Sequence, residues 1–96
     1  MRMLICYDVE TATPAGKKRL TRIAKACLNY GQRVQNSVFE CTVYPEQWEK
    51  LKAKLTELYN PEKDSLRFYY LGSNWKRRVE HLGTKKIVDL EEPMIV

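Results

Sequence analysis

A short apolar run that stops on a carboxylate sets the first constraint on this chain. Met3-Leu4-Ile5-Cys6-Tyr7 has the character of a buried strand, and Asp8 ends it. Burying a carboxylate is costly unless it is paired, hydrogen-bonded or bound to a cation. Any fold that puts this strand at its centre must therefore find Asp8 a partner. The stretch beyond it, Lys17-Lys18-Arg19 with Arg22 and Lys25, is strongly basic. Two readings of Asp8 stay open on these residues alone. It holds a metal ion that faces a phosphate, or it caps or salt-bridges the following turn.

A chain of 96 residues makes one domain, here with a core over about 1–83 and a C-terminal strand and tail over 84–96. So short a chain buries only about 60–70% of its unfolded surface, and a homodimer would supply additional core. The net charge of +5 favours a polyanionic partner. Its distribution says more than its size: between Glu10 and Glu40 there is no acid, against six basic residues, Lys17, Lys18, Arg19, Arg22, Lys25 and Arg33. A second basic cluster is Lys76-Arg77-Arg78. Three cysteines without C-x-x-C spacing argue against a disulfide framework and a zinc site. Cys6, Cys27 and Cys41 read as small core residues in a reducing cytosol. No signal-peptide pattern precedes the first strand, and no apolar run approaches the ~20 residues that span a bilayer. A cytoplasmic protein without membrane contact is expected.

Residues 2–9 read as the first strand. Thr13 offers an N-cap and Pro14 a first helical position. Leu20, Ile23, Ala24, Cys27 and Leu28 form one face of the helix that follows, with Gly31 as its C-terminal glycine. Residues 32–43 read as one long strand whose apolar phase slips between Val38 and Phe39, through a bulge or burial on both faces. Pro45 opens a second helix, with Trp48, Leu51, Leu55 and Leu58 on one face and Glu46 and Glu49 near the positive end of its dipole. Asn60-Pro61 stops it. Ser65–Leu71 is a third strand, Gly72-Ser73-Asn74 a turn, Val79–Leu82 a fourth strand ended by Gly83, and Lys86–Leu90 a candidate fifth. Read plainly the order is β-α-β-α-β-β(-β). It becomes β-α-β-β-α-β if residues 32–43 are split in two. The expected architecture is α+β: a ferredoxin-like sandwich, an antiparallel sheet with both helices on one face. The other face, with Leu4, Cys6, Phe39 or Val38, and Tyr69, wants a cover that a second copy could supply. The C-terminal strand, apolar at Ile87, Val88 and Leu90, could pair with the partner's sheet edge.

Three segments carry a family resemblance: Tyr7-Asp8-Val9, Tyr30-Gly31-Gln32-Arg33-Val34-Gln35-Asn36-Ser37-Val38-Phe39-Glu40, and Asp64-Ser65-Leu66-Arg67-Phe68-Tyr69-Tyr70-Leu71. Together they resemble the CRISPR-associated protein 2 family, the small subunit of spacer acquisition, over nearly the whole chain. Arg78-Val79-Glu80-His81-Leu82-Gly83 is similar to that family's short last strand. The resemblance implies a ferredoxin-like fold and a symmetric homodimer whose C-terminal strand crosses to the partner's sheet. It puts Asp8 at the family's acidic position, where two carboxylates face each other across the dimer axis and share Mg2+, or Mn2+ in its place. It puts Arg33 and Phe39 at family positions near that acid, with Ser37 between them. It implies a metal-dependent nuclease acting on RNA or duplex DNA, or a scaffold that bridges two dimers of the integrase subunit and holds duplex DNA. The first loop departs from the family's short Asp-rich turn: Glu10-Thr11-Ala12-Thr13-Pro14-Ala15-Gly16 is longer and leaves Glu10 as the only nearby carboxylate.

One Asp per chain is too few for a fixed metal cage, whereas two facing Asp8 residues make a weak magnesium site completed by waters. No His, Lys or second acid is placed as a general base, so slow turnover is expected. His81, the only histidine, reads as structural or surface. Trp75 and Tyr69-Tyr70 read as packing before base stacking. Arg33 divides evenly between phosphate binding and an ion pair with Glu40 or a partner residue. Lys17, Lys18, Arg19, Arg22, Lys76, Arg77 and Arg78 are the expected nucleic-acid contacts, binding independently of sequence and weakening with salt. The leading expectation is a homodimeric adaptation subunit that binds duplex DNA, bridges integrase dimers and carries a magnesium-dependent endonuclease activity. Its alternatives are a non-catalytic DNA scaffold and a stand-alone, toxin-like endoribonuclease acting on single-stranded RNA.

Overall fold

The computed structural model describes residues 1–71 and 79–83, apart from the side chains of Val79 and His81. The turn at 72–74, Trp75, the cluster Lys76-Arg77-Arg78, the fifth strand expected at 86–90 and the tail lie outside the described residues. In chain order the elements are β1 (Arg2–Asp8), α1 (Pro14–Leu28), β2 (Gly31–Gln35), β3 (Val38–Thr42), α2 (Pro45–Leu58), β4 (Ser65–Tyr70) and β5 (Val79–Gly83). They form one sheet in the order β2-β3-β1-β4-β5, every pairing antiparallel. The ferredoxin-like α+β sandwich is therefore present, with β1 at its centre. β5 pairs with β4 of its own chain.

The region 32–43 is a hairpin and not one strand. β2 and β3 meet at Asn36-Ser37, and the pairing shifts register between Arg33 and Gln35. The phase slip is thus the mark of a chain reversal with a bulge beside it. No non-glycine residue among those described has a positive φ, so this turn lacks the left-handed pair that usually announces a two-residue hairpin. The Ser37 carbonyl accepts from the Tyr7 amide at 3.0 Å, which ties the reversal to the central strand.

Alternation along the strands separates two faces. Met3, Ile5 and Tyr7 of β1 lie with Phe39 and Cys41 of β3 and Leu66 and Phe68 of β4 in the core, beneath Ile23, Cys27, Trp48, Leu51 and Leu55 of the helices. Thr13 caps α1, its Oγ1 accepting from the Gly16 amide at 3.1 Å, with Pro14 in the first turn. Leu28, expected on the packed face, is 52% exposed as the last residue of α1, while Cys27 before it is buried. Gly31 is not a helix cap. It opens β2, where an added Cβ would lie 2.3 Å from the Glu40 carbonyl oxygen, so close approach of β2 to β3 requires glycine.

Gly83 ends β5 at φ 118°, and an added Cβ would lie 2.0 Å from the carbonyl oxygen of Asp64. Both the conformation and the space exclude a side chain. Gly83→Ala is expected to cost about 1–2 kcal/mol or more and to lower the thermal midpoint by roughly 5–15 °C. Hydrogen exchange should show the loss concentrated in β5 and the start of β4. An unchanged midpoint would mean that β5 is not held as described.

Candidate active site at the end of the central strand

β1 carries two sets of side chains. The even set, Arg2, Leu4, Cys6 and Asp8, faces away from the helices. The ladder places Val38 and Arg67 beside Cys6, Glu40 and Tyr69 beside Leu4, and Ser65 beside Asp8. Leu4, Cys6, Val38 and Tyr69 are half-buried on this face, which no described element covers, so Val38 is the apolar residue here while Phe39 belongs to the core. Asp8 itself is exposed. The desolvation cost anticipated for it is not incurred in one chain; it would arise only when something covers this face.

The other sequence-derived site residues sit on the opposite side of the sheet. Phe39 is fully buried and stacks with Tyr7, ring centroids 6.1 Å apart. The Arg33 guanidinium lies 5.1 Å from the Phe39 ring centroid and donates to the Asn36 carbonyl at 3.4 Å. Arg33 is therefore exposed cation on buried aromatic. Its alternative partner Glu40 is held on the uncovered face by Arg2, with Nε donating to Oε2 at 2.8 Å. Ser37 is half-buried in the turn. Tyr7, adjacent to Asp8, is the link between the two faces. Arg33, Ser37 and Phe39 shape the support behind Asp8, and the sheet lies between them and its carboxylate.

The basic residues of α1 divide as well. Lys17, Lys18 and Arg22 are exposed. Arg19 is not an open phosphate contact, contrary to expectation. Its Nε donates to Oδ2 of Asp64 at 2.8 Å and its Nη2 to Oδ1 at 3.3 Å, with the Arg19 side chain 16% exposed and that of Asp64 0%. The same carboxylate accepts from the Asn60 amide at 2.9 Å and the Glu10 amide at 3.0 Å. Burial pushes the Asp64 carboxyl up, but hydrogen bonds from Arg19, Asn60 and Glu10 and the Arg19 charge outweigh it and hold the pKa below the ordinary range. Asp64 went unassigned in the sequence reading, although it has the signal that singled out Asp8: a lone acid at the boundary of an apolar strand.

The remaining polar side chains on these strands are structural. Glu80 accepts from Lys52 Nζ at 2.9 Å and from the Tyr70 hydroxyl, and Tyr70 packs edge-on against Trp48. That makes Tyr70 a packing residue. Tyr69 accepts from Arg67 at 3.1 Å on the uncovered face. Burial raises the thiol pKa of Cys6, Cys41 and Cys27, the last to about 12. Such thiols are poor nucleophiles at neutral pH; Cys27 and Cys41 are core residues as expected, whereas Cys6 is half-buried on the sheet face away from the helices. Among the described residues no group of three or more His, Cys, Asp or Glu could hold a metal ion, and no helix is long and apolar enough to cross a membrane.

Fold and site together define a ferredoxin-like sandwich with one uncovered sheet face and a single carboxylate at the end of its central strand. The family model for CRISPR associated protein Cas2 matches residues 1–79, and the chain belongs to that family. It is 62% identical over 96 residues, all of both chains, to a CRISPR-associated endoribonuclease Cas2 of Chlorobaculum tepidum. It is 59% identical over 95 residues, 99% of each chain, to a CRISPR-associated endonuclease Cas2 of Halalkalibacterium halodurans. The crystal structure of Streptococcus pyogenes Cas2 at pH 6.5 superimposes with a TM-score of 0.71 at 58% identity, covering 86% of this chain and 100% of that one.

Removing the Asp64 carboxylate would leave the Glu10 and Asn60 amides buried without acceptors, so Asp64→Ala is expected to cost about 3 kcal/mol. A depressed carboxyl pKa stabilises the fold fully above its unfolded value near ~4, and that contribution is lost as pH falls through the folded value. In urea melts from pH 7 to pH 2, the stability gap between wild type and Asp64→Asn should narrow in acid. A gap independent of pH would contradict the ion pair.

Proposed function

We propose that the protein is a CRISPR adaptation subunit that works as a homodimer on phosphodiester chains, with Asp8 as its acidic centre. The observation that carries this reading is the exposed Asp8 carboxylate at the end of β1, on a sheet face whose half-buried Leu4, Cys6, Val38 and Tyr69 leave apolar surface for a second copy. A two-fold axis through that face brings two Asp8 residues together. One chain supplies one hard oxygen ligand, which suits a Mg2+ or Mn2+ ion shared between copies and not a cage within one. The bound ion would supply charge neutralisation at the phosphate and activation of water.

The chain's own groups do the rest. Asp8 is held by its ladder position opposite Ser65. Arg33 and Phe39 brace the strand behind it, and Tyr7 carries that support to the neighbouring residue. Exposed Lys17, Lys18 and Arg22 provide phosphate contacts on α1, with Lys76, Arg77 and Arg78 as further proposed contacts. These read charge and not base edges, so the substrate class is RNA or duplex DNA without sequence preference. Relatives named as endoribonuclease and endonuclease support cleavage of either kind. A scaffold that holds duplex DNA and bridges integrase dimers is the second reading, favoured by the exposed cations Lys17, Lys18 and Arg22 on α1. The cytoplasm is the proposed location.

Asp8→Asn keeps the size of the side chain and removes its charge. Labelled single-stranded RNA and duplex DNA, with and without Mg2+, should show metal-dependent cleavage by the wild type. The variant, at unchanged dimer mass, should lose roughly a hundredfold or more. Cleavage unaltered in an intact Asp8→Asn dimer would remove Asp8 from the chemistry. Duplex binding without cleavage by the wild type would support the scaffold.

A further inference from the structure

Between α1 and α2, on the side of the molecule away from Asp8, runs a groove of about 550 Å³. Arg22 and Lys25 form its wall on α1, and Lys50 and Lys54 its wall on α2. Asn29 and Tyr30 stand at one end, and among the described residues no acid lines it. All four cations are exposed. α1 contains no acid, and the acids of α2, Glu46, Glu49 and Glu57, lie outside the groove. The nearest restraint on the four is a loose contact of Lys54 Nζ with Glu57 Oε1 at 3.7 Å, both side chains more than half exposed, which is worth little in water. By contrast, Arg19 and Lys52 on the same two helices are engaged by Asp64 and Glu80. Among the described residues the helices therefore sort their cations: Arg19 and Lys52 are held by carboxylates at close range, and those on the shared groove have at most the loose Lys54–Glu57 contact.

Holding four like charges around one groove is unfavourable unless an anion compensates them. The residues that carry the cations follow one another at axial rises of about 4.5 Å on α1 and about 6 Å on α2, and they flank the groove from both sides. The amide and the phenol add hydrogen-bonding capacity of the kind that contacts phosphate oxygens. We infer that the α1–α2 groove is a second phosphate-binding surface, which clasps the backbone of a nucleic acid on the helical side of each protomer. The inference rests on the proposed nucleic-acid function and extends it. In a dimer closed through the uncovered sheet faces, the two grooves lie on the outer flanks. They take the substrate, or a second strand, at a distance from the Asp8 centre.

Anisotropy of a labelled mixed-sequence duplex DNA and a labelled single-stranded RNA, between 50 and 200 mM NaCl, tests this. The variants are Lys50→Gln/Lys54→Gln and Arg22→Gln/Lys25→Gln, with exposed Lys63→Gln as control and circular dichroism melts to verify folding. Each double variant is expected to flatten the log–log salt dependence by about two units and to weaken binding by on the order of tenfold or more at 0.1 M salt. The control should be unchanged. A salt slope equal to wild type in both double variants overturns the inference and removes Arg22 from the proposed phosphate contacts, while the Asp8 centre and the other contacts of the proposed function stand. An effect from the α1 pair alone also overturns it, since the groove needs both walls. A wild type that binds neither nucleic acid overturns the inference together with the proposed function.

Discussion

The carboxylate of Asp64 is the interaction on which the position of the site depends. Four parts of the chain converge on it: the loop after β1 through Glu10, α1 through Arg19, the end of α2 through Asn60, and β4, which starts one residue later. A buried charge is tolerated there because three of these parts, through Glu10, Arg19 and Asn60, donate hydrogen bonds to it. Ser65, next in the chain, stands opposite Asp8 in the ladder, and Gly83 passes so close to the Asp64 carbonyl that only glycine fits. The end of the central strand, where Asp8 sits, is fixed from behind by this node.

The second organising fact is the sidedness of the sheet. One face is closed by two helices over Phe39 and Phe68, with Trp48 of α2 packed edge-on against Phe68. The other is left with a mixed row of Arg2, Leu4, Cys6 and Asp8. A one-residue step in β1 separates Tyr7, which is core, from Asp8, which is surface. Phe39 lies on the core side with Tyr7 stacked on it, and Arg33 sits over the Phe39 ring. The proposed homodimer would change the environment of Asp8 more than any residue within the chain does, because an approaching second copy brings both a like charge and a loss of water.

Much of the fold could be read in the residues because the signals were local. Thr13-Pro14 starts α1 as a capping residue and proline should, and the spacing of Trp48, Leu51 and Leu55 gives the buried face of α2. The hairpin at Asn36-Ser37 was visible only as a slip in apolar phase, since its turn uses neither glycine nor a left-handed residue. Gly31 looked like a helix cap because its neighbour across the sheet, Glu40, is distant in sequence. The site was legible to the same degree. Asp8 at a strand end is a local pattern, whereas the pairing of Arg19 with Asp64 spans 45 positions and has no signature in spacing. Composition alone could not tell the cation that serves the fold from the cations beside it.

The claim at the centre of this account is that two chains share one metal ion through Asp8. Titration of the protein with Mn2+, followed by electron paramagnetic resonance of the free ion, measures the stoichiometry directly. The account predicts one bound Mn2+ for every two chains in the wild-type dimer, with that site lost in Asp8→Asn while the dimer persists. One ion per chain, or an unchanged site in the variant, would contradict it.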